Sequence, residues 1–251
     1  MQPDYQVVDE NSKNGSLWAE DLSFLRTLIR LHSKSIENFI LFTRESKSSV
    51  RKWLELVYCI LAGAQIKSTL VYRIYQKLWS NHLDDLMIKN LCDCEFSPNR
   101  IEQALKSYGY RFYKSKAQTI REAASLFKKY DYDVENFLRR FPEYRTARRK
   151  LCEVRGIGYK IASHWLRNIG YDIPIVDQHV KRLLHRFSLI NERASYLEYE
   201  DFLFKVSRLI EKNCTTVDLA IWLHGIKYCS KRKCEYCPVS DRCSSKVMSK
   251  V

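Results

Sequence analysis

Apolar residues recur at steps of three and four along almost the whole chain, and this spacing constrains its fold more than any other feature. Such steps place apolar side chains on one face of an α-helix, whereas a half-buried strand would alternate at every second residue. No segment alternates in that way, and 7 glycines and 5 prolines in 251 residues leave few helix breaks. The sequence therefore predicts an all-α fold. Its broadest apolar face, suited to a central buried helix, contains Val50, Trp53, Leu54, Val57, Leu61 and Ala64.

The composition excludes several classes of protein. Apolar residues make up 45% of the chain, which is too much for a mostly disordered protein. No apolar run approaches the roughly 20 residues of a membrane span, and residues 1–20 are polar and contain acidic groups, unlike a secretory signal. We therefore expect a soluble intracellular protein of the cytoplasm or nucleoid, neither secreted nor associated with a membrane.

Positive charge is in large excess. The chain has 43 Lys and Arg against 29 Asp and Glu, which gives a net charge of +14. The 16 tyrosines and 5 tryptophans lie among these charges, so groups that attract phosphates are interleaved with groups that stack on bases. This balance suits a nucleic acid, but many basic proteins bind none, so charge alone leaves both interpretations open.

Four of the nine cysteines crowd into a C-x4-C-x2-C-x5-C array near the C-terminus, at Cys229, Cys234, Cys237 and Cys243. An odd number of cysteines cannot all pair, and such clustering indicates a metal or cluster site rather than disulfides. Four thiolates suit either tetrahedral zinc or a four-iron–four-sulfur cluster. Because zinc sites usually contain two CxxC pairs and this array has one, the spacing favours the iron–sulfur cluster, with zinc as the alternative.

A second motif is the run Gly156-Ile157-Gly158-Tyr159-Lys160. The pattern predicts that one helix ends at Glu153 and that the next begins by Tyr159. Glycines allow a tight turn and a close approach of another backbone, and a helix N-terminus presents N–H groups that suit a phosphate oxygen. The alternative is an ordinary corner between two helices. A nucleotide-binding GxGxxG motif is excluded, since no strand precedes the run and no third glycine follows.

Lys160 and Asp177 are the candidate catalytic residues. Lys160 falls in the first turn of its helix, where the positive end of the dipole disfavours the ammonium form, as a nucleophilic amine requires. Asp177 precedes the apolar run that starts at Val180, so it is predicted to cap that helix. Each residue also has a simple structural interpretation, as a solvated lysine and as a cap alone.

Taken in order, these motifs resemble the helix-hairpin-helix DNA glycosylase superfamily, whose best-known iron–sulfur member is endonuclease III. The resemblance covers roughly residues 48–243 and includes Val176-Asp177-Gln178-His179 and Trp222-Leu223-His224-Gly225. Ala64-Gln65 resembles the endonuclease III position whose Gln enters the duplex. Two features depart from endonuclease III. It has six residues between its first two cluster cysteines, where this chain has four. In addition, residues 162–171 and Arg111-Phe112-Tyr113 look more like archaeal-type 8-oxoguanine glycosylases, which lack the cluster.

The resemblance implies two helical lobes with an active-site cleft between them. One lobe is a helical barrel with the helix-hairpin-helix, over residues 46–171. The other joins residues 1–45 to residues 172–251 around the cluster. Lys160 and Asp177 then fall on opposite sides of the boundary, where a flipped nucleotide would enter.

The implied function is a bifunctional DNA glycosylase/AP lyase of base-excision repair, acting as a monomer on double-stranded DNA that contains an oxidised pyrimidine or 8-oxoguanine. Lys160 would attack C1′ of the extruded nucleotide and form a Schiff base, with Asp177 stabilising the charge that develops on the sugar. A monofunctional glycosylase, a non-catalytic iron–sulfur DNA-binding module and a redox sensor stay open as alternatives. The residues expected to contact DNA are Gln65, Phe112, Gly156, Gly158, Tyr159, Lys231, Arg232 and Lys233.

Overall fold

The computed structural model describes residues 15–63, 66–93 and 99–243, with side chains described from residue 22 onward. Every regular element in these ranges is a helix, as the apolar spacing predicts. None of these helices is both long enough and apolar enough to cross a membrane. The α-helices are α1 (Gly15–Arg44), α2 (Ser49–Ala62), α3 (Ser68–Asn81), α4 (Leu83–Leu86), α5 (Ile88–Cys92), α6 (Arg100–Ser107), α7 (Tyr113–Lys128), α8 (Val134–Arg140), α9 (Tyr144–Leu151), α10 (Tyr159–Asn168), α11 (Gln178–Arg186), α12 (Tyr196–Leu209) and α13 (Cys214–His224). A π-helix follows at Gly225–Cys229, and then two 3-10 helices at Cys234–Tyr236 and Ser240–Arg242.

Side-chain caps fix where several of these helices begin. The hydroxyl of Ser48 accepts a hydrogen bond from the backbone N–H of Arg51 at 3.3 Å, at the start of α2. Ser195 and Glu198 form a capping box at the start of α12, in which each side chain accepts a hydrogen bond from the other residue's backbone N–H. Such caps satisfy N–H groups that have no partner within the helix, and each contributes about 1 kcal/mol.

The first hydrophobic core surrounds α2, whose central residues are buried as predicted. Trp53 of α2 and Trp165 of α10 are completely buried in it. Their indole N–H groups donate to the carbonyls of Leu86 and Lys52, each at 2.7 Å. Because a buried indole N–H needs an acceptor, these bonds fix both rings. The core draws residues from α2 to α10 and ends along the chain at Ile173.

The second hydrophobic core combines two distant parts of the chain. Phe24 and Leu28 of α1 pack with residues of α11, α12 and α13. This core also includes Cys229 and Val239, so the cysteine-rich segment is attached to it. The predicted domains, residues 46–171 against residues 1–45 and 172–251, stay a prediction, since two cores in one chain do not by themselves make separate domains.

Two buried ion pairs join helices of the first core to helices of the second. Arg148 of α9 pairs with Glu200 of α12, and Arg167 of α10 pairs with Asp218 of α13. No side chain of the four is more than 8% exposed. A charge buried so deeply is tolerated only with a partner, so each pair ties its two helices together. One pair thereby joins α9 to α12, and the other joins α10 to α13.

Candidate active site and DNA-binding surface

The hairpin that leads into α10 begins slightly earlier than the sequence predicts. Helix α9 ends at Leu151, two residues before the predicted end at Glu153. The reason is that the N–H of Glu153 bonds to the carbonyl of Lys150, three residues back, which tightens the chain out of the α-helical path. Helix α10 begins at Tyr159, as predicted, and no side chain caps its first turn.

The two glycines of the hairpin have different structural roles. Gly156 has a φ of +89°, and a Cβ there would come within 2.4 Å of Oγ1 of Thr119. That hydroxyl donates a hydrogen bond to the carbonyl of Arg155 at 3.1 Å, which holds the turn against α7. A Cβ at Gly158 would meet no atom within 4 Å, and its φ is −101°. The fold therefore requires glycine at position 156 but not at position 158, where the missing side chain leaves the surface open.

Lys160 is half-buried in the first turn of α10. In the part of the chain that the structure describes, its ammonium has no hydrogen-bond or ion-pair partner. The groups that share its surroundings are Lys116 of α7, Cys59 of α2 and His164 of α10. Burial raises the pKa of the Cys59 thiol and lowers the pKa of His164 well below its usual value. An amine that is not held in an ion pair is suited to nucleophilic attack.

Asp177 caps α11, as the sequence predicts. Its Oδ1 accepts hydrogen bonds from the backbone N–H groups of His179 at 2.7 Å and Val180 at 3.0 Å. Its Oδ2 accepts a third bond, at 3.1 Å, from the indole N–H of Trp222 in α13. The sequence indicates the segment that begins with Trp222 only through its resemblance to the glycosylase superfamily, and it predicts no role for the indole. The contact connects residues 45 positions apart, so no local pattern could have indicated it.

Tyr196 brings the two candidate catalytic segments together. Its ring lies 5.6 Å from that of Tyr159, the residue before Lys160, in an edge-to-face arrangement. Its hydroxyl accepts a hydrogen bond from the backbone N–H of Val176, the residue before Asp177, at 3.5 Å. A single side chain of α12 therefore contacts the start of α10 and the segment leading to α11. The residues that immediately precede Lys160 and Asp177 thus meet at Tyr196, and we call this place the junction.

The other residues between positions 46 and 171 that are predicted to contact DNA differ in their exposure and in their neighbours. Phe112 is partly exposed at the start of α7, and the guanidinium of Arg111 lies 4.6 Å from the centre of its ring. Tyr159 is 39% exposed, although Arg148 lies 4.8 Å from its ring on the inner side. Gln65, together with Ala64, lies outside the described residues. The roles of these side chains toward DNA stay predictions.

The four clustered cysteines line one small, partly open cavity. We call residues 229–243 the cysteine loop. His224, at the end of α13, also lines the cavity, and its Nε2 lies 3.3 Å from Sγ of Cys237, within hydrogen-bonding distance. Among the described residues, no three His, Cys, Asp or Glu side chains come close enough to hold one metal ion. The four thiols are therefore gathered around one space without converging on a single point.

The cysteine loop is attached to the helix that Asp177 caps. The hydroxyl of Ser230 lies 2.9 Å from Nδ1 of His179 in α11. A Cβ at Gly225 would come within 3.3 Å of the Cβ of His179, so the backbone packs closely there. The side chains of the three basic residues predicted to bind phosphate are exposed beyond this contact: Lys231, Arg232 and Lys233.

Comparison with known proteins places these features among the DNA glycosylases. A family profile described as 8-oxoguanine DNA glycosylase matches residues 32–218, and so ends before the cysteine loop. The 8-oxoguanine DNA glycosylase/AP lyase of Methanocaldococcus jannaschii is 30% identical over 194 residues, covering 64% of this chain and 91% of the relative.

Two solved structures share the fold. The M. jannaschii 8-oxoguanine glycosylase/lyase in complex with a 15mer DNA containing 8-oxoguanine has a TM-score of 0.67 at 26% identity, covering 82% of this chain and 98% of the other. A trapped endonuclease III–DNA covalent intermediate has a TM-score of 0.66, covering 90% of this chain and 98% of the other. At 20% identity, the second likeness concerns the fold alone.

Proposed function

The chain belongs to the 8-oxoguanine DNA glycosylase family, and from that premise we propose that it excises 8-oxoguanine from duplex DNA and nicks the strand as an AP lyase. Of the two substrate classes left open by the sequence, family membership favours 8-oxoguanine over oxidised pyrimidines. It also favours an enzyme over a non-catalytic DNA-binding module or a redox sensor. The observation that carries the proposal is the unpaired amine of Lys160 at the same junction as the oriented carboxylate of Asp177.

In the proposed reaction, the uncharged amine of Lys160 attacks C1′ of the extruded nucleotide. The bond between C1′ and the base breaks, and the base departs with the electron pair and takes up a proton. The carboxylate of Asp177 stabilises the positive charge that develops on the sugar, a task for which its fixed orientation suits it. The sugar ring then opens to give an imine between C1′ and Lys160. Loss of a proton from C2′ expels the 3′ phosphate by β-elimination, which nicks the strand.

We expect the duplex to be bound by groups that surround Lys160 and Asp177. The open surface at Gly158 and the uncapped first turn of α10 would approach a phosphate, and the basic residues of the cysteine loop would bind others. Phe112 and Gln65 would occupy the space that the flipped nucleotide leaves. Extrusion is required because C1′ cannot be attacked while the nucleotide is stacked in the duplex.

Two substitutions test the proposed roles on a duplex with one 8-oxoguanine. Lys160→Ala should abolish both borohydride trapping and strand nicking while leaving duplex binding intact. Asp177→Asn keeps an acceptor for the cap but removes the charge, so it should slow single-turnover base release by about 10²–10⁴-fold.

Asp172→Asn is the matched control for the second substitution. Asp172 accepts hydrogen bonds from the N–H groups of Cys214 and Thr215 at the start of α13, at 3.0 and 2.8 Å, so it is a carboxylate that caps a different helix. Its substitution should leave base release unchanged. Normal release by Asp177→Asn would make Asp177 only a cap, and imine trapping by Lys160→Ala would remove Lys160 as the nucleophile.

We also propose that Cys229, Cys234, Cys237 and Cys243 hold a four-iron–four-sulfur cluster. Support comes from the cavity that all four side chains line and from the array's single CxxC pair, since zinc sites usually contain two such pairs. When bound, the cluster would supply a rigid cross-link for the cysteine loop and a group able to carry an electron. None of the steps assigned to Lys160 and Asp177 uses it.

Metal analysis of anaerobically purified protein tests this proposal. We expect about four irons and four sulfides per chain, with broad absorption near about 400 nm. Cys237→Ser should lose iron, whereas Cys152→Ser, which removes a thiol outside the cysteine loop, should retain it. Stoichiometric zinc without iron or sulfide would contradict the proposal.

A further inference from the structure

The segment Trp222-Leu223-His224-Gly225 contains a buried imidazole to which the proposed reaction gives no role. His224 is the last residue of α13 and is completely buried. The centre of its ring lies 4.7 Å from that of Tyr228 in the π-helix and 5.8 Å from that of His32 in α1. Two rings from different elements therefore hold the imidazole in one orientation.

One nitrogen of this imidazole contacts the cysteine loop. Nε2 lies 3.3 Å from Sγ of Cys237, and His224 lines the same cavity as the four cysteines. The other nitrogen, Nδ1, is buried and has no hydrogen-bond partner among the described residues. Because buried polar groups normally have a partner, the sulfur of Cys237 is the group that satisfies this side chain.

The direction of the hydrogen bond follows from the chemistry of a cluster ligand. Cysteine binds iron as a thiolate, and a thiolate sulfur can only accept a hydrogen bond. The hydrogen of the imidazole belongs on Nε2, since a hydrogen on Nδ1 would be a buried donor without an acceptor in the described part of the chain. With iron bound, His224 would therefore donate to Cys237.

A donor at this sulfur changes how readily a cluster accepts an electron. Reduction adds negative charge to the iron–sulfur core and its thiolates, and the positive end of an N–H dipole stabilises that charge. The oxidised cluster carries less negative charge, so it gains less from the same bond. Hydrogen bonds to the sulfurs are among the factors that set cluster potentials, and burial strengthens their effect.

We propose that His224 is a positioning residue whose Nε2–H donates a hydrogen bond to the sulfur of Cys237 and raises the reduction potential of the cluster. This inference rests on the proposed four-iron–four-sulfur cluster. It gives His224 no bond to iron and no part in the steps assigned to Lys160 and Asp177.

Redox titration of the anaerobically purified, iron-loaded protein tests this inference, with iron and sulfide measured for each variant. His224→Phe keeps a ring beside Tyr228 but removes the donor. At a fixed potential it should lower the ratio of reduced to oxidised cluster about tenfold, equivalent to a shift of about 59 mV to more negative potential. His224→Gln supplies an amide N–H in place of the imidazole N–H, so its potential should lie close to that of the wild type.

His32→Phe is the matched control. It removes the imidazole that packs against His224 from α1 and that is not among the residues lining the cavity. Its potential should equal that of the wild type. A shift of the same size in His32→Phe and His224→Phe would attribute the effect to packing among the rings and not to the donor.

The remaining outcomes separate this inference from the cluster proposal. If His224→Phe retains iron and has the wild-type potential, the contact with Cys237 does not influence the cluster. His224→Leu gives a second variant without a donor should the phenylalanine variant lose iron. Loss of iron by both would make His224 a requirement for holding the cluster and contradict a role in the potential alone. Wild-type protein without iron would contradict the cluster proposal, and the inference would fail with it.

Discussion

The indole N–H of Trp222 donates a hydrogen bond to Oδ2 of Asp177 at 3.1 Å, while Oδ1 of the same carboxylate caps α11. The two oxygens are therefore held by different helices, and the carboxylate cannot rotate without losing at least one bond. A carboxylate that must stabilise charge on a sugar gains from such prior orientation, because no reorganisation is needed during the reaction. The cap of α11 and the bond from Trp222 thus use different oxygens of Asp177.

Trp222→Phe should slow base release without loosening α11. The substitution keeps an aromatic ring but removes the donor to Oδ2, while the cap on Oδ1 is untouched. We expect single-turnover excision of 8-oxoguanine to fall about tenfold, the equivalent of one hydrogen bond in the transition state, with little change in thermal midpoint. Trp79→Phe, in α3, is the control. Excision at the wild-type rate by Trp222→Phe would mean that the bond does not orient the carboxylate.

The features predicted correctly from the sequence depend on local signals. The cap at Asp177 and the start of α10 at Tyr159 each follow from a few neighbouring residues. The burial of α2 follows from one broad apolar face. The helices α4, α5 and α8 were not predicted, because elements of four to seven residues contain too few periodic positions to stand out.

Long-range polar contacts could not be predicted in this way. Arg148 and Arg167 contribute to the basic composition like any surface arginine, yet both are buried against carboxylates about 50 residues away. Trp222 likewise reaches Asp177 from a different helix. Whether a charged residue is exposed or paired depends on which helices meet, and that information is not present in the spacing of one segment.

The two hairpin glycines should respond differently to alanine. Gly156→Ala places a Cβ against Thr119 and forces a positive φ on a residue that disfavours it, so it should cost about 1–3 kcal/mol of stability in urea unfolding. Gly158→Ala should unfold like the wild type, since a Cβ there meets nothing. It should nevertheless weaken binding to damaged and undamaged duplexes alike, if a phosphate approaches this backbone. Wild-type affinity in Gly158→Ala would place the duplex elsewhere.

The basic residues of the cysteine loop should set part of the salt dependence of binding. Replacing Lys231, Arg232 and Lys233 together with alanine should reduce the slope of log affinity against log salt by about 2–3, because each released phosphate contact contributes about 0.9. The loss should be the same for all duplex sequences. The matched control removes three exposed charges from α1 (Arg26, Arg30 and Lys34). An equal reduction in both variants would indicate a general effect of net charge and not a contact by the loop.

The buried residues Arg148 and Glu200 should stabilise the fold as a pair, so that removing one partner lowers the free energy of unfolding more than removing both. Nη2 of Arg148 donates to Oε1 of Glu200 at 3.0 Å, and Nη1 also donates to the hydroxyl of Ser163 at 3.1 Å. Glu200→Gln leaves the guanidinium buried without a counter-charge, so it should lower the free energy of unfolding by about 3 kcal/mol. The double variant Arg148→Met, Glu200→Leu should recover much of that loss, because it leaves no unpaired charge in the junction.

Urea unfolding of Arg148→Met, Glu200→Leu and the double variant that combines them measures this coupling directly. The pair of Lys150 and Glu153, joined at 2.8 Å, supplies the comparison, because Glu153 is exposed and solvent screens its charge, so Glu153→Gln should change stability little. If the double variant is as unstable as the sum of its single substitutions, the residues do not act as a pair. The junction between α9 and α12 would then be stabilised by apolar packing alone, and its two charges would be independent of each other.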